Sequence, residues 1–202
     1  MLASPPPATS DAAAPDLVRF VARLARPAPA ATAYTEVRFL HQLTRPLVLH
    51  GELEYDGPGK LGKRVDAPYR EATTVSDGTA TVTRAGRAPQ RFELARAPEL
   101  DMLLGGFSAL LGGDARALQK FYVITLVDNA PNWTLTMVPH DSALAVHLRA
   151  FVIDGRATQP SCFTLERAHG DSSVMLLGVL ATTELPQPPT PAALSALCRA
   201  AP

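Results

Sequence analysis

Apolar positions along this chain change period more than once. Over residues 16–26 they fall at Leu17, Phe20, Val21 and Leu24, the spacing of one helical face, with Arg19, Arg23 and Arg26 on the remaining surface. Asp16 is placed to cap this helix, and Pro27 and Pro29 stop it. From Tyr34 the period is two. Val37, Phe39, His41 and Leu43 alternate with Arg38, Leu40 and Gln42. After a bend at Arg45-Pro46, Leu47, Leu49, Leu53 and Tyr55 share a face with Gly51, opposite Val48, His50, Glu52 and Glu54. Further short strands are punctuated by Asp56-Gly57, Asp77-Gly78 and Asp154-Gly155, strong hairpin signals, and by weaker ones at Gly86-Arg87 and Gly170-Asp171. A helical pattern interrupts them at 98–113, where Leu100, Leu103, Leu104, Phe107, Leu110 and Leu111 surround Gly105-Gly106. Glycines weaken a helix, so this segment reads as two short helices or one deliberately loose one. An extended connector, "LPQPPTP" (185–191), and a last short helix, "PAALSALCRA", close the chain. The pattern predicts a mainly β (α+β) fold of ten or eleven strands in meander order with three helical pieces. One large antiparallel sheet, bent towards a barrel to remove its edges, satisfies it.

Length and composition narrow the class. The 202 residues suit one domain. Its expected parts are a flexible lead-in (1–15), a folded unit (16–184), and a connector with a C-terminal helix packed on it (185–202). With 19 basic and 19 acidic residues the formal charge is balanced, which argues against a nucleic-acid partner. The longest apolar run, Val174 to Ala181, is too short to span a bilayer as a helix. The Pro/Ala/Ser-rich lead-in lacks the basic and apolar regions of a signal peptide, as expected if a signal had already been removed. Cys162 and Cys198 lack metal-site spacing. They read either as one disulfide pinning the tail helix to the sheet, in an oxidising compartment, or as two unrelated buried thiols.

Candidate chemistry is sparse. "GPGKLGKR" (57–64) meets most of the phosphate-loop pattern, but position 64 is Arg, the preceding strand alternates, and no helical period follows. It reads as a hairpin turn that sends Lys60, Lys63 and Arg64 into the next strand. His41 and His50 could approach each other across the first hairpin, yet no carboxylate completes a metal set, and no metal or other cofactor is expected. No nucleophile elbow or His-Glu-x-x-His occurs, so no catalytic residue is assigned; an esterase assembled from distant residues is the weakest reading. Arg19, Arg23 and Arg26 read as a solvated helix face or as contacts to an acidic partner surface or lipid headgroups.

The order of elements resembles the LolA-like periplasmic lipoprotein carriers, especially the divergent LolA-related branch. The resemblance runs over 17–180. It is carried by the N-terminal amphipathic helix, Phe39-x-x-Gln42, Gly51-x-Leu53, a strand-turn-strand containing Pro58, and Pro68 closing the third strand. Val75-Ser76-Asp77-Gly78, the helical insertion from Pro98 with Leu103-Leu104, and "NWTLTMVPHDSALAVHLRAFVIDG" complete it. The resemblance implies an unclosed antiparallel barrel of about eleven strands, with short helices as a lid or plug over an apolar concave face. It also implies a monomeric, non-enzymatic periplasmic carrier that takes an acylated lipid or lipoprotein from an inner-membrane exporter, of the RND-permease or ABC type, to an outer-membrane acceptor. Cavity residues expected on this basis are Phe39, Leu49, Leu53 and Val82 from strands and Leu103, Leu104, Phe107 and Leu111 from the lid. Alternatively, the same leucines plug the barrel permanently. The carriers proper have an Arg-Pro pair in the second hairpin that helps hold the lid; here the pair is Gly57-Pro58, which shifts the expected cargo towards other lipids or polyene-type glycolipids. An outer-membrane assembly protein binding a partner along the sheet edge is the reading from another class.

Overall fold

The computed structural model describes residues 14–200. The lead-in expected over 1–15 lies, but for its last two residues, outside them. Eleven antiparallel strands form one sheet in the order β6-β5-β4-β3-β2-β1-β11-β10-β9-β8-β7. The strands are β1 (Ala30–Phe39), β2 (Leu47–Gly57), β3 (Lys60–Ala67), β4 (Glu71–Ser76), β5 (Thr79–Arg84), β6 (Gln90–Glu93), β7 (Tyr122–Asn129), β8 (Asn132–Pro139), β9 (Leu148–Arg156), β10 (Gln159–Arg167) and β11 (Ser172–Leu177). Each half is a meander, and β1 joins them by pairing with both β2 and β11. The barrel is unclosed: β6 and β7 are its two edges.

Among the described residues five α-helices accompany the sheet: α1 (Ala14–Arg23), α2 (Pro98–Leu111), α3 (Ala115–Gln119), α4 (Ser142–Ala145) and α5 (Pro191–Arg199). The sequence pattern predicts α1, α2 and α5. The other two are a single turn or little more, too short to show a period, and each starts at an aspartate cap, Asp114 and Asp141. α1 buries Leu17, Phe20, Val21 and Leu24, the four predicted positions. Asp16, expected as its cap, lies in the first turn and bonds Arg19. α2 runs unbroken through Gly105-Gly106. Gly106 lies against Tyr122, where an added Cβ would come within 2.6 Å of the ring, so the glycine allows close helix–sheet packing.

The turns divide by physical role. Pro58-Gly59 joins β2 to β3, with Gly57 and Gly59 at positive φ, so the phosphate-loop pattern is a hairpin. Asp77-Gly78 is the two-residue turn of β4 and β5, both residues at positive φ. Asp154-Gly155 differs from expectation. It lies inside β9, and the turn falls at Ala157-Thr158. Buried Asp154 accepts from Thr134 Oγ1 at 2.6 Å, and a Cβ on Gly155 would meet the Trp133 ring at 2.2 Å. That pair serves packing against β8. β1 also starts earlier than its alternation suggests and stops at Phe39, leaving His41 and Leu43 exposed in a loop.

Side chains alternate between the two faces of the sheet. One face carries the main core: Tyr34, Leu49, Val65, Leu135, Met137, Ile153 and their neighbours, packed with α1, α3 and part of α2. The other face, at β1, β10 and β11, carries a second cluster of Val37, Cys162, Val174, Leu176 and Leu180, covered by Leu194 and Cys198 of α5. Cys162 and Cys198 form a disulfide, with Cα atoms 5.7 Å apart, which ties α5 to β10. This resolves the two sequence readings in favour of the bond.

Candidate functional site

The concave face is only partly filled. A cavity of about 970 Å³ lies between it and α2, at the upper end of the roughly 300–1,000 Å³ usual for small-molecule sites. Leu103, Leu104, Phe107 and Leu111 of α2 line one side, all half-buried. Leu53 and Val65 of β2 and β3, Phe151 and Phe163 of β9 and β10, and Met175 of β11 line the other. Phe107 sets its ring edge-on to Phe163, centroids 4.8 Å apart, and tilted to Phe151 at 5.9 Å. The helix is therefore seated by aromatic contacts in the middle of the sheet, while Leu104 meets a small separate cluster of Val75, Ala80 and Leu94.

Polar contacts hold α2 at three places. Gly59 N–H, in the β2–β3 turn, donates to Ser108 Oγ at 2.8 Å. Arg26 N–H donates to the Leu111 carbonyl at 2.8 Å, and the Tyr122 hydroxyl reaches the Met102 carbonyl at 3.4 Å.

Charged side chains also line the cavity, and three of them form one bonded cluster. Glu36 of β1 is 4% exposed. Its Oε1 accepts from Arg38 Nε at 2.9 Å, and its Oε2 from Arg38 at 3.0 Å and from Lys63 Nζ of β3 at 2.5 Å. All three side chains line the cavity. Burial pushes the Glu36 carboxyl up, but the hydrogen bond and charge of Arg38, with the charge of Lys63, outweigh it and hold the group below its usual range. Burial also lowers the Lys63 ammonium, and Glu36 does not fully offset this. Both shifts are downward, with opposite consequences: the two cations hold Glu36 in its charged form, whereas burial and the Arg38 charge disfavour the charged form of Lys63. Beside the cluster, Gly51 lets the β3 backbone come close: a Cβ there would strike the Arg64 carbonyl at 1.8 Å and approach the Tyr34 hydroxyl, which donates to that carbonyl at 3.1 Å. The Lys63 ammonium lies 5.0 Å from the Tyr34 ring centroid.

A family model described as outer membrane lipoprotein carrier protein LolA-like matches residues 8–201. The chain belongs to this LolA-like family. Among solved structures, a LolA superfamily protein from Nitrosomonas europaea is 13% identical, with 87% of this chain and 96% of that one covered and a TM-score of 0.45. A DUF1329 family protein from Desulfovibrio piger is 11% identical, over 89% and 96%, with a TM-score of 0.46. The MucA/MucB complex of Pseudomonas aeruginosa is 15% identical, over 80% and 55%, with a TM-score of 0.41. Similarity at this level is too low to transfer function. No curated protein matches the chain.

The sequence-derived cavity set of this LolA-like protein is only partly assembled. Leu53, Leu103, Leu104, Phe107 and Leu111 meet in the cavity. Phe39 lies outside it, because odd-numbered positions of β1 face the other way and its ring packs on the second cluster, beside α5. Leu49 points to the concave side but is fully buried in the main core, and Val82 shares a register row with Leu53, Lys63 and Thr73 without lining the cavity. The three arginines expected on the first helix also separate, and because α1 ends at Arg23, Arg26 lies in the loop beyond it. Arg19 bonds Asp16 and Arg23 reaches Asp128 at 3.9 Å, both in solvent. Arg26 lines the cavity and donates to Gln159 Oε1 at 2.5 Å and the Thr158 carbonyl at 3.2 Å. Sequence reading missed the Glu36–Arg38–Lys63 cluster; its signal was three charged residues on strand faces otherwise apolar. His41 bonds Asp171 and His50 meets Thr35, so the two do not share a site. No group of three His, Cys, Asp or Glu among the described residues could hold a metal, and no helix there is long and apolar enough to cross a membrane.

Proposed function

We propose that this protein is a periplasmic carrier that binds a hydrophobic or acylated cargo in the cavity under α2 and passes it, without chemistry, from an inner-membrane exporter towards the outer membrane. The observation that carries this reading is the 970 Å³ cavity, lined rather than filled by apolar side chains, with Leu53, Leu103, Leu104, Phe107 and Leu111 left half-buried. A plugged core would bring these side chains to interior packing density. Acyl burial, worth about 0.8 kcal/mol per CH₂, can supply the free energy to displace a loosely seated helix. Leu53, Leu103, Leu104, Phe107 and Leu111 are the proposed cargo contacts. Arg19, Arg23 and Arg26 are the proposed contacts to the exporter or to headgroups, with Arg26 nearest the cargo. The test is native mass spectrometry of protein purified from its own periplasm, followed by lipid extraction. A stoichiometric acyl lipid, pigment or lipoprotein is expected; an empty protein that also refuses a fluorescent fatty acid would sink the proposal.

The proposed lid, α2, is tied to the β2–β3 hairpin by the Gly59–Ser108 hydrogen bond. Ser108→Ala removes a contact worth about 1 kcal/mol at most in this exposed position. Stopped-flow uptake of a fluorescent fatty acid is then expected to speed up roughly two- to fivefold, with little change in melting temperature. An unchanged rate would show that the hydrogen bond does not restrain opening.

The sheet-edge reading is favoured by the eight-residue edge strand β7, which exposes Val123 and Val127, and by the other edge strand, β6, with Phe92 at 48% exposure. Strand β6 is four residues long and carries Arg91 and Glu93, features that protect an edge from pairing.

A further inference from the structure

We infer that the Glu36–Arg38–Lys63 cluster is a headgroup site, and that the cavity's cargo is an amphiphile whose head is an anionic carboxylate or phosphate. This rests on the carrier reading and names the chemistry of its cargo.

Buried charges are costly unless paired, so their presence in the wall of an apolar cavity needs a reason. The cluster is not self-contained. Glu36 uses both oxygens on Arg38 and Lys63, and it balances only one of the two cations. Lys63 has three donors and Arg38 five, and the carboxylate occupies a minority of them. The other acids of this part of the wall are engaged elsewhere: Glu71 bonds Arg84, and Glu54 lies 3.7 Å from Arg64. Among the described residues no second carboxylate bonds Arg38 or Lys63. Glu71 adds a favourable charge at Lys63 but is itself paired with Arg84, so the cluster keeps a net positive charge at the cavity wall, where an anion would gain a charge-assisted hydrogen bond.

The register places this charge where a head and a tail can be held together. Glu36 is directly opposite Met175 on β11, and Lys63 directly opposite Leu53 on β2. Both neutral partners line the apolar part of the cavity, which continues to Phe163 and Phe107. An acyl chain lying along these residues would end with its head beside Lys63 and Arg38. The depressed Lys63 ammonium, short of a full counter-charge, agrees with this geometry.

The experiment compares cis-parinaric acid with its methyl ester, the same chain with and without a charged head, by fluorescence titration at about pH 8, where the carboxyl is ionised. The wild-type protein is expected to bind the acid roughly tenfold more tightly than the ester. Lys63→Met, which leaves Glu36 and Arg38 as a one-to-one pair, is expected to abolish that preference while keeping ester affinity. Equal affinity for acid and ester in the wild type would overturn the headgroup assignment and leave the carrier reading standing, whether or not the variant folds. Uptake of neither probe would overturn both. Binding of inorganic phosphate alone, with neither probe taken up, would make the cluster a free-anion site and likewise overturn the inference.

Discussion

Replacing Cys162 and Cys198 together with alanine is expected to lower stability by about 3–4 kcal/mol, without changing affinity for an acyl probe. The bond closes a loop with a sequence separation of 36, and the chain-entropy cost of leaving that loop open sets the magnitude. Both cysteines are almost fully buried among Val37, Val174, Leu176 and Leu194, so shortening them adds a small packing loss in the same direction. For a chain of this size the change corresponds to a melting temperature lower by roughly 8–15 °C, read by calorimetry under non-reducing conditions. The binding half of the prediction follows from topology. Cys162 and α5 sit on the face of β10 opposite Phe163, whose ring faces the cavity. A large loss of probe affinity in a variant still folded at assay temperature would mean that the two faces are coupled. An unchanged melting temperature would mean that α5 stays docked by its apolar contacts alone.

Glu36→Gln has the other large expected effect. It removes the carboxylate from between two cations and leaves Arg38 and Lys63 facing each other in a largely buried wall. Breaking a buried ion cluster by deleting one partner costs about 3–5 kcal/mol. Here the loss should sit near the lower figure, because Arg38 and Lys63 keep 33% and 27% of their side-chain surface. The pH dependence has a definite sign. The folded-state carboxyl is held below its usual 4.5, so its contribution is complete above that pH and is lost as pH falls through the folded value. Urea titrations should therefore show the widest gap between wild type and variant near neutrality, and a narrowing gap below about pH 4.5. A gap that stays constant on acidification would show that the destabilisation is steric. The same variant should bind the anionic probe more tightly than the wild type does, whereas Lys63→Met should bind it less tightly. These opposite responses separate a headgroup site from a structural ion cluster.

Much of the fold was legible because its signals are local. The face of α1 is a four-residue spacing, and all four positions are buried. The Asp56–Gly59 and Asp77-Gly78 turns follow from backbone conformations that glycine tolerates and most residues do not. The strand meander, the α2 insertion and the family could be read from the order of such signals, and the family match covers residues 8–201. Asp154-Gly155 shows the limit. The same dipeptide that makes a turn elsewhere is buried within β9 here, because Trp133 on the neighbouring strand needs the space of a missing Cβ.

The sequence by itself determined which segments are strands, where most of them turn, that the two cysteines lie in separable elements, and that the 98–111 segment is an apolar helix carrying a glycine pair. Only the tertiary structure decided which face of each strand looks into the cavity. Side-chain direction inverts with every residue, so Phe39 went to the disulfide side while Glu36 and Arg38 went inward. It also decided that Lys63, part of a false phosphate-loop pattern, ends against Glu36 twenty-seven positions earlier. That contact depends on the register of three adjacent strands, with Glu36 opposite Leu49 and Lys63 opposite Leu53, which no local pattern encodes.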